Sequence, residues 1–391
     1  MRSPKHAQPS VAEHRLRIAI AAALFAGLAL SPKLWLTERV YPTTPVLPFL
    51  RSIPAPLDYI LYGAMLALLV AIAIVARPAK LIWSFTALAI TVALFDQSRW
   101  QPWFYQYLIM LIAVALGGDS ALNTCRLVIV CTYFWSGLQK TNGDFIHNVF
   151  PYMTGSMGTI LNPLAFIAPL IEVAIGIGLL TRRFRTYAIY AAIAMHAFIL
   201  LAIGPFGQDS NSVVWPWNIA MICFVLILFW QSDVSPKTIV WPSEGAYQRA
   251  VLVLLGIAPL LSFFNLWDGY LSSALYSGAR NSGVVYVTDP LKDRLPKEIV
   301  AHIYPSNKPG TSILILRDWS MTELNAGIYP EPRIYKSLAR YICTYAHDPS
   351  EMKLWIKQAN VLLSADKQVS YDCPSLTSSP AARTDSPPTV P

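Results

Sequence analysis

PLIEVAIGIGLLTRRFRTYAIYAAIAMHAFILLAIGPFG, residues 169–207, decides the fold. Two apolar stretches, each close to the ~20 residues that a bilayer's hydrocarbon core requires of a helix, flank a short turn carrying Arg182, Arg183 and Arg185. Short cytoplasmic loops accumulate Lys and Arg, so this reads as two antiparallel membrane helices joined on the cytoplasmic side. Each run carries one ionisable side chain, Glu172 in the first and His196 in the second.

Working outward, the same criterion predicts nine spans, at 16–36, 58–76, 81–96, 104–118, 122–140, 163–181, 186–204, 214–231 and 249–267. Only 13% of the 391 residues are charged and 54% are hydrophobic, where a soluble domain has about 25% charged, which excludes an ordinary soluble protein. The net charge of +8 would suggest nucleic-acid binding in a soluble chain. Here, however, 17 Lys and Arg stand against 10 Asp and Glu up to Leu266, and 13 against 12 beyond it. The basicity belongs to the apolar part, where twelve cationic residues fall on the predicted inner side and five on the outer, so it reads as insertion orientation and not as a nucleic-acid surface. The N-terminus is then cytoplasmic and the C-terminal part extracytoplasmic.

The expected fold is an all-α polytopic membrane helix bundle of about nine spans with a small α/β or α+β soluble domain at its C-terminus. The segments are a cytoplasmic stretch 1–15, the transmembrane domain 16–267, the extracytoplasmic domain 268–374 and a Ser/Thr/Pro-rich tail 375–391 expected to be disordered. The first span also resembles a signal-peptide core, with Arg15 and Arg17 ahead of it. In the soluble domain VVYVT (284–288) and SILILR (312–317) read as strands, and 289–303, 333–347 and 349–365 as helices. Cys125, Cys131 and Cys223 lie in apolar runs as packing residues; Cys343 and Cys373 can form a disulfide in an oxidising compartment. No metal-ligand spacing occurs.

Ionisable groups inside apolar spans cost at least ~2.5–3.5 kcal/mol at a helix centre and are functional candidates by default. At 1.5 Å per residue, Glu172 lies roughly 14 Å and His196 roughly 12 Å from the outer ends of successive antiparallel helices, which predicts a Glu172–His196 hydrogen bond. Lys140, at the outer end of YFWSGLQKTNGDF (133–145), has two readings: an ammonium that snorkels to water beside Asp144, or a desolvated neutral amine acting as a general base. Asp96, Gln97, Arg99, Trp100, Trp103, Asn142, Asp144, Gln208, Asp209, Asn211 and Asn218 gather in the same outer half. They predict an outward-opening pocket with Lys140, Glu172 and His196 as catalytic candidates and Asp96, Arg99, Trp100, Trp103, Asn142, Asp144 and Asn218 as ligand-binding ones. The irregular stretch FIHNVFPYMTGSMGTILN (145–162) lies along the interface or forms a lid.

DQSRWQPWFYQY (96–107), YFWSGLQKTNGDF, PLIEVAIGIGLL (169–180) and MHAFILLAIGPFG (195–207) resemble the HTTM family, the membrane module shared with vitamin K-dependent gamma-carboxylase, over a core of about 96–230, and more distantly DoxX-type proteins. The resemblance implies a quinone or hydroquinone cofactor and carries a base role onto Lys140. The chain departs from the carboxylase in lacking a histidine in GGDSALNT (117–124) and the large β-rich lumenal region. Two main functions compete: an enzyme acting on a quinone or other lipid-like small molecule at the extracytoplasmic side, and a non-catalytic scaffold whose C-terminal domain binds an extracytoplasmic protein. A transporter is a third reading, disfavoured because no inverted repeat is visible.

Overall fold

The computed structural model describes residues 10–155, 158–241, 245–358 and 367–377. Among the described residues a helix lies along each of the nine stretches expected to span: α1 (Val11–Leu30), α2 (Leu57–Ile74), α3 (Ala79–Leu94), α4 (Pro102–Leu116), α5 (Asp119–Gln139), α6 (Ile167–Leu180), α7 (Arg185–Ile203), α8 (Val214–Phe229) and α9 (Ala246–Phe264). By length and composition α2, α7 and α9 can each cross a membrane, and α3, α4, α6 and α8 are shorter apolar helices. The boundaries have local causes. A capping box between Ser10 and Glu13 starts α1, Pro102 stands at the head of α4, and Gly117 and Gly118, both at positive φ, turn the chain between α4 and α5. The first expected span, 16–36, is broken at Ser31-Pro32. The last helix widens to a π turn at Leu252–Ile257 and then tightens to 3-10 geometry at Ala258–Phe264.

Successive helices pack side by side from α1 to α8, and α8 returns to α1. Thus α1 is a packed member of the bundle, burying Leu16, Ile20, Leu24 and Leu28. Large apolar side chains also cover the outside, among them Ile74, Tyr187 and Ile219, as a lipid-facing surface requires. The closest contact is α5 on α6. A Cβ at Gly137 would lie 2.5 Å from the Pro169 carbonyl oxygen, and one at Gly176 would lie 2.9 Å from the Phe134 nitrogen. At the end of the bundle that holds the Arg182–Arg185 turn, arginines close helix ends. Arg17 donates to the Val75 carbonyl (2.8 Å), Arg126 to Leu228 (2.8 Å) and Arg185 to Leu179 (2.9 Å), using carbonyls that have no partner within their own helices.

The C-terminal unit is a five-stranded antiparallel sheet, order β2-β3-β1-β4-β5, from β1 (Ser282–Thr288), β2 (Ile303–Pro305), β3 (Thr311–Leu314), β4 (Met352–Lys357) and β5 (Gln368–Asp372). Helices α10 (Leu316–Leu324) and α11 (Pro332–Cys343) complete it, and Cys343 is bonded to Cys373. Three expectations are corrected. Over its described part, 349–358, the helix expected at 349–365 is instead a 3-10 turn capped by Asp348, followed by β4, because MKLWIK alternates buried and half-buried positions with the period of a strand. SILILR ends as a strand at Leu314 and passes into α10, and 289–303 holds only two short helical turns before β2. Of the tail expected to be disordered, 375–377 closes a short helix, Cys373–Thr377, and 378–391 lie outside the described residues, as do 1–9 and 359–366.

This unit sits on the bundle end opposite the arginine turn. Glu323 of α10 accepts from the backbone N–H groups of Val40 (2.6 Å) and Tyr41 (3.1 Å), Trp319 packs on Tyr41, and Arg333 donates to Gln97 (2.6 Å).

Candidate functional site: a chamber beneath the soluble domain

Tyr133, Ser136 and Lys140 are spaced i, i+3, i+7 on α5 and share one face. Glycine packing lays α6 against that face, so Glu172 meets Lys140. The Lys140 Nζ donates to both carboxylate oxygens, at 2.9 and 2.7 Å, and to Ser136 Oγ at 2.6 Å. An ammonium has three N–H donors and all three are used. Lys140 and Glu172 are each only 8% exposed. The snorkelling reading is therefore corrected: Lys140 turns to Glu172 and Ser136 inside the bundle and not to Asp144.

The expected Glu172–His196 bond is corrected as well. His196 on α7 faces Asn218 on α8 and Tyr133 on α5. Asn218 donates its amide N–H to the Val214 carbonyl (2.9 Å), which turns its oxygen toward His196 Nδ1 at 2.8 Å. That network assigns the proton to Nδ1 and leaves Nε2 to accept from the Tyr133 hydroxyl at 2.7 Å. Depth along the two helices is similar for Glu172 and His196, but their directions around the helix axes differ.

Both clusters line a cavity of about 600 Å³, otherwise mostly apolar. Phe145, Phe150, Met153, Thr154 and Leu161 contribute from the irregular stretch 145–162, of which 156–157 lie outside the described residues. Trp217 donates to Gln106 (2.7 Å) on the wall formed by α4 and α8. The top is closed by the segment that joins α9 to β1, through Tyr270, Leu271, Ser273, Leu275 and Tyr276. Asn211 donates to the Tyr276 hydroxyl, and Asn142 donates to the Ser277 carbonyl (2.8 Å). Gly278, at φ +71°, brings this segment so close to residues 144–145 that a Cβ there would stand 2.8 Å from the Phe145 nitrogen. Burial pushes the Tyr270 and Tyr276 phenols above their ordinary range, so both keep their protons.

Of the expected ligand-binding residues, Asn218 lines the chamber and six do not. Asp96 pairs with Arg39 and accepts from Thr44 and Ser98, tying down the loop before α4. Arg99 donates to the carbonyls of Leu34, Trp35 and Val92 at 2.7–3.0 Å. Trp100 donates to the Ala93 carbonyl and Trp103 is buried against Gly27. Asn142 organises the turn after α5, and Asp144 accepts from Asn148. Buried beneath a soluble domain, polar side chains of a helix-end loop are consumed by backbone groups that would otherwise lack partners. Tyr133 and Ser136 were not anticipated, although their helical spacing from Lys140 was a usable signal. The capping segment 270–276 carried none. Among the described residues no group of three His, Cys, Asp or Glu side chains could hold a metal.

Residues 118–206 match the family model of methylamine utilisation protein MauE, a membrane protein family; the match spans less than a quarter of the chain and contains Lys140, Glu172 and His196. No curated protein and no solved structure matches. The match overturns the HTTM assignment, and with it the carboxylase-like role implied for Lys140. The motifs behind that assignment were aromatic helix ends and a terminal lysine, features that many membrane helices share for interfacial reasons. The apolar helices and the membrane family together mark this as an integral membrane protein.

Proposed function

We propose that this protein binds an amphiphilic, lipid-soluble small molecule of the quinone or hydroquinone class in the chamber between its bundle and its soluble domain. The observation that carries the reading is the chamber itself: about 600 Å³ of mostly apolar wall with two hydrogen-bonded polar clusters on one side. The Lys140 side of its pair with Glu172 presents a positive potential to an oxygen of the ligand. Tyr133 can accept a hydrogen bond from a ligand hydroxyl while donating to His196 Nε2, so a proton can move toward the imidazole, with Asn218 holding the other ring nitrogen. Such a ligand would supply the redox chemistry if the protein is an enzyme; the side chains handle its protons and its charge. The proposal includes nine spans, a cytoplasmic N-terminus and an extracytoplasmic soluble domain, supported by the arginine-rich end of the bundle and by the disulfide at the other. The family's name adds methylamine utilisation as the metabolic setting. A methylammonium ion is far too small and polar to account for the chamber.

Two measurements test the reading. Mass spectrometry of an organic extract from the purified protein should find a quinone or other amphiphile. Binding of a benzohydroquinone, kept reduced, to the protein in nanodiscs should weaken at least about tenfold in Tyr133→Phe, which removes the oxygen that accepts from the ligand hydroxyl, and in Lys140→Gln, which removes the positive end of the buried pair. Unchanged affinity in both variants would refute it. Loss of function on deleting 268–391 with those variants silent would favour the scaffold.

A further inference from the structure

The chamber has an uneven boundary. Its aqueous end is closed by Tyr270, only 4% exposed, and by Tyr276 bonded to Asn211. Its flank is different. Helices α6 and α7 are joined by residues 181–184 and touch closely near that turn, where a Cβ at Gly178 would lie 2.7 Å from the Ala188 Cβ. Toward their other ends both helices line the cavity, and there Leu164 just before α6, Ile171 on α6 and Ala194 on α7 are lining residues that also face outward. Leu164 is 47% and Ile171 is 42% exposed, while Glu172 and His196, the next residue on α6 and two residues on along α7, are 8% and 6% exposed. The chamber is therefore polar on the α5–α8 side and apolar where it reaches the bundle surface between α6 and α7.

We infer that the ligand enters from the bilayer through this cleft and that it carries one long apolar chain, which stays in the cleft while the head occupies the polar wall. The inference rests on the chamber reading above. A chain that passes from lipid into an apolar cleft exchanges one hydrocarbon environment for another, so entry costs little, whereas the closed aqueous end would require the chain to cross water at about 0.8 kcal/mol for each exposed methylene. Only the head loses polar partners, and the polar wall around Lys140 and Tyr133 offsets part of that loss.

The test uses the full chain in lipid nanodiscs and two probes, a benzoquinone with a decyl chain ending in a photoreactive diazirine, and the same quinone without a chain. Photolabelling should fall on the peptides that contain Leu164, Ile171 or Ala194. Ala194→Trp, and independently Leu164→Trp, should weaken the decyl quinone about tenfold, the equivalent of excluding roughly two methylenes, and leave the chainless quinone within about twofold. Labelling of 270–276, or equal effects of both variants on both probes, overturns the lateral entry while the chamber reading stands. Failure of either quinone to bind the unaltered protein overturns both.

Discussion

Replacing Lys140 by methionine removes one half of a buried ion pair and leaves the Glu172 carboxylate without its cationic partner among the described residues. Both side chains are about nine-tenths buried, and the carboxylate receives two hydrogen bonds from Nζ, at 2.7 and 2.9 Å. Breaking such a pair from one side costs about 3–5 kcal/mol, because the remaining charge keeps its desolvation penalty and loses the attraction that offset it. Removing both charges, as Lys140→Met with Glu172→Leu, costs little, since the surroundings are apolar and the volumes similar. The coupling energy should therefore be about 3 kcal/mol or more. Cys125 and Cys131 are free and buried in the bundle, so a thiol-reactive dye that becomes fluorescent on labelling reports opening as temperature or SDS rises. The expected order is a strongly destabilised Lys140→Met, an equally destabilised Glu172→Leu, and a double variant close to the unaltered protein. If the single losses simply add in the double variant, or if Lys140→Met unfolds like the parent, the pair is not the buried, mutually dependent unit described here.

Other outcomes follow from the packing and from the soluble domain. Gly137→Ala and Gly176→Ala should each lower stability by about 1–3 kcal/mol, since the new methyl meets backbone atoms of the facing helix; Gly63→Ala, with nothing within 4 Å, should be neutral or slightly stabilising in the same melt. Replacing Cys343 and Cys373 by serine opens a loop of sequence separation 30 and should cost about 3–4 kcal/mol, read as a fall in the midpoint of the soluble domain with the bundle melt unchanged. Glu351 is held at about 2, well below its ordinary value, by the Arg294 guanidinium and by the backbone N–H groups of Asp348 and His347. A depressed carboxyl contributes stability that is complete above its ordinary range and is lost as pH falls toward 2, so acid titration followed by near-UV circular dichroism should show that loss. Arg294→Gln should flatten it, and a variant that keeps the full acid sensitivity would count against the pairing.

In the soluble domain the limit of sequence reading is local. MKLWIK has a strand's alternation, but it follows Asp348-Pro349, a helix-start signal that here begins only a 3-10 turn. The opposite case is 332–343, whose helical period carried through to α11 with boundaries near those expected. At the end of the bundle that carries the soluble domain, Asp96 and Arg99 had the residue types of a binding site. Both are fully buried, and their partners are Arg39, the Thr44 hydroxyl and backbone groups, which no spacing along the chain could foretell.

By itself the sequence determined where the bundle helices run, that they are apolar enough for lipid, and how far along them Glu172 and His196 stand, because rise per residue is a constant of the helix. Which groups meet was decided only in three dimensions. Rotation about each helix axis and the choice of neighbour depend on how side-chain surfaces interlock. Two glycines let α5 and α6 approach until Lys140 reached Glu172, and that contact left His196 to Tyr133 and Asn218. The chamber is likewise a tertiary product: its walls come from α4 to α8 and its top from a segment outside the bundle, residues far apart along the chain.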